Sequence, residues 1–261
     1  MSPAAQEKLD RFFARFAATS RPVLLLDYDG TLAAFRVDRF TSRPYPGLRE
    51  ALTRIQRHGR TRMAVITGRP AHEIAPLLGL DPPLEVWGLH GAERLFPDGR
   101  RELEQASPAI EARLEELKQQ LRRDPLGGLF EDKANGAVMH WRGKPHKAAE
   151  RIERRTRELF EPLAKLDGLS LLDFEAGLEL RVGRDKGGAA AAVLAEESPD
   201  SPAAFLGDDL SDEAAFRVVR SLGERGFSAL VRTAWRQTEA EVWLHPPQEV
   251  VAFFRRWAEA L

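Results

Sequence analysis

Two carboxylates two positions apart, in Asp27-Tyr28-Asp29-Gly30-Thr31, directly follow the apolar run Val23-Leu24-Leu25-Leu26. If that run is a buried strand, both acids sit at its carboxyl end and can project toward one crevice. A carboxylate placed there can attack phosphorus and form an acyl phosphate that water then hydrolyses, which is covalent catalysis in two steps. Its neighbour can protonate the departing oxygen and later take a proton from the attacking water. Gly30 permits a sharp turn off the strand. The competing reading is an Asp-rich turn closed by a glycine.

A second acidic stretch, Gly207-Asp208-Asp209-Leu210-Ser211-Asp212-Glu213, follows another apolar run, Ala203-Ala204-Phe205-Leu206. If both strands are central, Asp27, Asp29 and Asp208 converge. Carboxylates held about 4 Å apart repel by about 4 kcal/mol per pair at an effective dielectric near 20. A hard cation bound by oxygen relieves that repulsion, and Mg2+ is the usual ion beside phosphate. Asp208 and Asp209 precede the expected helix, which suits a metal role. Glu213 and Asp212 can instead serve as acids that favour the helix dipole.

Phosphate also needs positive partners and donors. Thr67-Gly68-Arg69 follows a third apolar run, Met63-Ala64-Val65-Ile66, so the Thr67 hydroxyl and nearby backbone N–H groups can hold a phosphoryl oxygen. Lys186 opens an Ala-rich helical stretch, a mildly unfavourable place for a cation. Pairing with Asp27 and a phosphate explains that placement, whereas a solvated surface lysine is the bland reading.

These groups need a scaffold. Short runs apolar on both faces indicate buried strands of a parallel sheet, and helical patterns follow them in Leu48–His58 and Glu213–Leu222. Strand-then-helix repetition implies an α/β class, a doubly wound parallel sheet of Rossmann-like type. Residues Gln105–Arg123 and Lys147–Ala164 show helical spacing, whereas Ala137–Arg142 and Leu178–Val182 alternate. Helix, strand, helix, strand, strand is the order expected of an inserted α+β unit. The expected division is therefore 1–103 core, 104–180 insert and 181–261 core. An amphipathic helix is expected within Met1–Ser20 and a final helix over Val250–Trp257.

Composition narrows the class. With 43% hydrophobic and 30% charged residues among 261, the chain reads as a soluble globular protein. Its 39 basic and 40 acidic residues give a net charge of −1, hence no long-range field to gather nucleic acid or anionic lipid. Without cysteine it has no disulfide, thiolate metal site or thiol nucleophile. No apolar run approaches the ~20 residues that span a bilayer, and a cytoplasmic location is expected.

The ordered set Asp-x-Asp-Gly-Thr, then Thr67, Lys186 and Gly-Asp-Asp-x-x-Asp resembles the haloacid dehalogenase-like (HAD) superfamily. The insert occupies the position of a cap domain. Gly88-Leu89-His90-Gly91-Ala92-Glu93, Glu131-Asp132-Lys133, His140-Trp141-Arg142 and Leu178-Glu179-Leu180-Arg181 are similar to the pattern of trehalose-6-phosphate phosphatases over about residues 22 to 220. That resemblance implies Asp27 as nucleophile, Asp29 as acid and base, and Thr67 and Lys186 as phosphate ligands. It places Mg2+ on Asp27, the Asp29 carbonyl oxygen and Asp208, with Asp209 or Asp212 in support. Arg69, His90, Gly91, Glu131, Lys133, His140, Arg142 and Glu179 become candidates for substrate binding. Glu131 and Lys133 can share one strand face, as can Val138, His140 and Arg142. His140 and Arg142 can equally be solvated or paired with Glu179.

A small sugar phosphate is thus the expected partner of a monomer, with no nucleic acid or membrane. The alternatives are a phosphatase for the phosphates of glucosylglycerate, mannosylglycerate, glucosylglycerol or sucrose, a phosphotransferase or mutase, and a non-catalytic sugar-phosphate-binding regulator. Tyr28, Thr67 and Ser211 stand where Phe, Ser and Thr are usual, and each keeps its ring or hydroxyl.

Overall fold

In a computed structural model, residues 2–16, 21–36, 38–133, 135–166, 168–174 and 176–261 are described. They form two compact units, residues 1–102 with 186–261 and residues 103–185. The chain opens with α1 (Pro3–Ala14), β1 (Val23–Leu26), α2 (Leu48–His58), β2 (Arg62–Ile66) and α3 (Ile74–Leu78). Three strands follow, β3 (Glu85–Gly88), β4 (Glu93–Leu95) and β5 (Arg101–Leu103). The second unit holds α4 (Pro108–Arg123), β6 (Phe130–Lys133), β7 (Gly136–His140), α5 (His146–Ala164), β8 (Leu169–Phe174) and β9 (Gly177–Val182). The chain ends with α6 (Lys186–Ala195), β10 (Ala203–Gly207), α7 (Glu213–Arg220), β11 (Gly226–Val231), β12 (Val242–Leu244) and α8 (Gln248–Ala260). Of the helix expected within Met1–Ser20, Met1 and residues 17–20 lie outside the described residues.

The first unit is built on one sheet in the order β12-β11-β10-β1-β2-β3-β4-β5. β12 through β3 run parallel, and β4 turns back antiparallel on β3. Every residue of β1, β2 and β10 is buried, because helices cover both faces. Leu24, Leu26, Val65 and Leu206 pack toward α1, α2, α3 and α8 in one cluster that includes Phe12, Leu52, Ile74 and Trp257. Val23, Leu25, Ile66 and Phe205 pack on the other face with Ala189, Val193, Phe216 and Val219 of α6 and α7. Side chains alternate along a strand, so the two clusters share each strand residue by residue. The doubly wound architecture anticipated above is what forms.

The helix α6 is tied at its far end. Arg62 Nη2 meets Glu196 at 2.7 Å and Glu85 at 3.0 Å, and its Nη1 reaches Glu197 at 3.0 Å. At the near end a Cβ on Gly187 would come within 2.8 Å of Ala214 Cβ, so the small residue lets α6 lie against α7. Both contacts fix the axis on which Lys186 is carried.

The second unit is an antiparallel sheet in the order β6-β7-β9-β8. Ile110, Leu114, Leu121, Ile152 and Phe160 of α4 and α5 cover one face against Ala137, Met139, Leu178 and Leu180. It contains one strand more than the periodicity suggested, β6, whose Glu131, Asp132 and Lys133 are all exposed. An exposed, charged edge strand carries no apolar alternation and blunts an otherwise open sheet edge. The boundary expected at 180 falls inside β9, and the second unit continues to residue 185. No helix among the described residues is long and apolar enough to cross a membrane.

Candidate active site

β1 lies between β10 and β2, with Leu26 opposite both Leu206 and Val65. The Asp27 N–H continues that ladder by donating to Leu206 O at 2.9 Å. Asp27 and Asp208 therefore leave neighbouring strands at the same, carboxyl, end of the sheet. After Asp27 the chain turns at once, Tyr28 O accepting from the N–H groups of Leu32 (2.9 Å) and Ala33 (3.2 Å). Gly30 takes φ +82°, and a Cβ there would lie 2.2 Å from Asp208 Oδ2. Only glycine fits both the backbone angle and that approach.

Asp27, Asp208 and Asp212 are buried and offer carboxylate oxygens that all lie within 4.8 Å of one another. Lys186 Nζ donates to Asp27 Oδ1 and to Asp212 Oδ1, both at 2.7 Å. Thr31 Oγ1 donates to the other Asp27 oxygen at 2.9 Å. Burial, against the pull of Lys186 and with the push of Asp212, raises the Asp27 carboxyl to about 7. Asp208 is pushed up to about 9, by burial first and then by the charges of Asp27 and Asp212. Burial acts to lower the Lys186 ammonium, but the two acids prevail and its pKa rises. With all three acids ionised, one ammonium would leave two negative charges uncompensated, the complement of one divalent ion. The set therefore suits a metal bound through oxygen.

Asp212 is the member that the sequence left between two roles. It is fully buried, and its second oxygen accepts from the N–H groups of Asp208 and Asp209, each at 2.9 Å. A Cβ on Gly207 would meet Asp212 Cγ at 2.4 Å, so the preceding glycine makes room for it. Asp209, expected among the metal ligands, stands apart from the cluster. Its carboxylate accepts from the Asp212 N–H in a reciprocal capping box.

The Asp29 side chain is likewise outside the cluster. Arg69 grips it through two bonds, Nε to Oδ2 and Nη2 to Oδ1, both at 2.6 Å. The same guanidinium lies 3.6 Å from Glu73 and 5.6 Å from the Tyr28 ring centroid. Thr67, at the end of β2, is buried. Its N–H donates to Trp87 O at 2.8 Å, its carbonyl accepts from His90 N at 2.8 Å, and its hydroxyl accepts from Arg69 N at 3.2 Å. Leu89 and His90 take φ of 50° and 58°. This turn sets the His90 ring so close to Gly68 that a Cβ there would lie 2.7 Å from Nε2. Gly91 closes the turn with φ 116°.

In the second unit, Glu131, Val138 and Glu179 face one another across β6, β7 and β9 and so share one face. His140 Nε2 lies 2.7 Å from Glu131 and Lys133 Nζ 3.2 Å from Glu179. The partner of His140 is thus Glu131, not Glu179. Arg142 does not continue the row of Val138 and His140. β7 ends at His140, and a turn follows in which Lys144 N donates to Trp141 O at 3.1 Å and Gly143 takes φ 76°.

Two residues escaped sequence reading altogether. Arg232 Nη1 donates to Asp208 O at 3.2 Å, and Arg236 Nη2 donates to Asp209 O at 2.7 Å. They lie in an irregular stretch rich in polar residues, and nothing local marks them.

The family model described as trehalose-phosphatase matches residues 25–244. This chain belongs to the trehalose-phosphatase family. A trehalose-phosphate phosphatase of Mycobacterium marinum is 31% identical over 255 residues, which take in 92% of this chain and 62% of that protein. The chain thus spans about three fifths of the length of the curated relatives it matches. Its fold is that of Aspergillus fumigatus trehalose-6-phosphate phosphatase, with a TM-score of 0.78 at 23% identity over 97% of this chain and 98% of the other. A haloacid dehalogenase-like hydrolase from B. subtilis shares the fold at a TM-score of 0.61 and 17% identity, over 89% and 98%. The fold shared with these structures is the one the motif order pointed to, an α/β core with an inserted α+β unit.

Proposed function

We propose that the chain is a Mg2+-dependent phosphatase that cleaves trehalose 6-phosphate to trehalose and inorganic phosphate through an aspartyl phosphate on Asp27. The observation that carries this reading is the buried meeting of Asp27, Asp208 and Asp212 around Lys186. Family membership and the names of the relatives support the substrate.

Asp27, Asp208 and Asp212, with the Asp29 carbonyl oxygen, would hold the ion. Bound there, Mg2+ would supply positive charge to the phosphoryl group and favour the ionised form of Asp27. Lys186 adds a fixed cation beside the nucleophile, and Thr67 supplies a hydroxyl. An oxygen of Asp27 attacks phosphorus while the bond from phosphorus to the sugar oxygen breaks. Asp29 gives its proton to that departing oxygen, then takes one from the water that attacks the acyl phosphate. The bond from phosphorus to Asp27 breaks, phosphate leaves and the carboxylate is restored. Before this, Asp29 must leave Arg69, and an incoming phosphate is the natural competitor for that guanidinium. On the second unit Glu131, Lys133, His140 and Glu179 offer donors and acceptors of the kind suited to sugar hydroxyls, and Arg142 would contribute from the turn after β7.

Phosphate release measured with Mg2+ over a panel of sugar phosphates tests the reading. Trehalose 6-phosphate should give the highest kcat/KM, and Asp27→Asn should abolish turnover. A clear preference for a glucosylglycerate, mannosylglycerate, glucosylglycerol or sucrose phosphate overturns the substrate. Release from none of them overturns the phosphatase.

A further inference from the structure

The carboxylate of Asp208 is aimed by a backbone held from both sides. Its N–H donates to Asp212, and its carbonyl accepts from Arg232 at 3.2 Å and Arg236 at 3.5 Å. Arg236 does more than touch one carbonyl. Nη2 donates to Asp209 O at 2.7 Å, while Nη1 donates to Glu213 Oε1 and to Gln237 O. Asp209 and Glu213 bracket the short turn 210–212, so a single guanidinium ties the two ends of the turn that presents Asp212.

Glu213 anchors the same stretch from below. Thr238 Oγ1 donates to its Oε1 at 2.9 Å and Glu239 N to its Oε2 at 2.6 Å. Trp243 Nε1 donates to Arg232 O at 2.9 Å. The chain leaving β11 therefore folds back over the acidic loop at the end of the neighbouring strand and is pinned there at three places.

We infer that Arg236, through its fork onto Asp209 and Glu213, is a positioning residue for the divalent-ion site, with Arg232 as its partner on Asp208. The inference rests on the metal-dependent reading above and adds residues that lie outside the phosphatase motifs. Two physical effects compete. Arg236 places positive charge near a cation site, which by Coulomb's law alone weakens cation binding. It also locks the backbone from which Asp208 and Asp212 project, and loss of such outer support typically costs roughly ten- to a hundredfold in metal affinity. Charge-assisted bonds from a rigid planar fork are the kind that fix direction, so the second effect dominates.

The two effects give opposite results in one experiment. Mn2+ binding to the substrate-free full chain, followed by electron paramagnetic resonance, should weaken roughly tenfold or more in Arg236→Ala. Arg236→Lys keeps the charge but not the fork, and should weaken binding nearly as much. Glu213→Gln supplies a second route to the same turn should the arginine variants fold poorly. With saturating Mg2+ the KM for sugar phosphate should stay near wild type, while the Mg2+ concentration for half-activation rises. Arg220→Ala, which removes only an exposed ion pair with Glu239, should leave binding unchanged. Binding that is unaltered or tighter in Arg236→Ala overturns this inference alone. Wild-type protein that binds no Mn2+ overturns the metal-dependent reading and this inference with it.

Discussion

Lys186 Nζ sits 2.7 Å from Asp27 and 2.7 Å from Asp212, so one ammonium joins the end of β1 to the turn after β10. All three groups are almost wholly removed from solvent. Removing one partner from a buried ionic set strands the others, at a cost of about 3–5 kcal/mol. Lys186→Met should therefore lower the stability read from urea unfolding by about 3 kcal/mol or more. Phosphate release should fall by about a hundredfold or more. Unfolding at the wild-type midpoint would remove the ammonium from its place at the centre of the site.

A dependence on pH follows from the raised carboxyls. Folding lifts Asp27 to about 7 and Asp208 to about 9, well above the roughly 3.9 of an unfolded aspartate. The folded protein then binds more protons than the unfolded one, so without metal its stability falls as pH rises from about 4 toward 9. A Mg2+ ion held by these acids would compete with those protons, so its binding should tighten over the same range. Thermal melts with chelator should decline from pH 5 to 9, and added Mg2+ should restore the loss at the alkaline end. Melting temperatures indifferent to both pH and Mg2+ would refute the coupling.

The convergence of Asp27 and Asp208 was legible because its signal is local. Asp27 and Asp208 each follow a strand apolar on both faces, and such strands have few places to go but the centre of a sheet. For Asp212 the sequence offered both a metal role and a dipole role, and did not decide between them. An acid in a helix's first turn is adequately explained by the dipole, and it is the burial of Asp212 with bonds to Lys186 and to the Asp208 and Asp209 N–H groups that reveals it as a hub. Arg232 and Arg236 reach Asp208 and Asp209 from about 25 residues away, a contact with no periodic signature. β6 was read only as a strand face shared by Glu131 and Lys133, and was not counted among the strands, for a different reason. Its exposed charges face water, and a strand with nothing to bury shows no alternation.

Arg69 and Asp29 form a two-point ion pair that must open during turnover if Asp29 transfers protons. Asp29→Asn should reduce kcat by about 10²–10⁴-fold and leave KM within a few-fold, since no group that grips phosphate is lost. Arg69→Ala should raise KM for the sugar phosphate. Steady-state phosphate release separates the two, and near wild-type kcat in the Asp29→Asn enzyme would assign the proton transfers elsewhere.

Recognition of the sugar should be separable from cleavage of the phosphate. Lys133 and Glu179 form one pair and His140 and Glu131 another on a single sheet face. If that face reads hydroxyls, Glu179→Ala should lower kcat/KM for trehalose 6-phosphate by about tenfold or more, the worth of a hydrogen bond to a charged group. Hydrolysis of p-nitrophenyl phosphate, which has no sugar to read, should change little. Equal losses on both substrates would move Glu179 from recognition into the support of the fold.

Gly30 offers the sharpest steric test. Its φ of +82° is one that residues with a Cβ adopt at a cost of about 1–2 kcal/mol, and the added Cβ would lie 2.2 Å from Asp208 Oδ2. A carbon and an oxygen that are not bonded cannot coexist at that distance, so either the loop lifts or the Asp208 carboxylate swings away from Asp27. In both cases the three-acid set loses its geometry. Gly30→Ala should therefore weaken Mg2+ activation far more than it lowers the melting temperature. Gly59→Ala is the matched control, a glycine with φ +79° where an added Cβ would meet nothing within 4 Å. It should carry the backbone cost alone, with Mg2+ activation unchanged. Equal effects of the two substitutions on Mg2+ activation would show that the loop, rather than its contact with Asp208, sets the site.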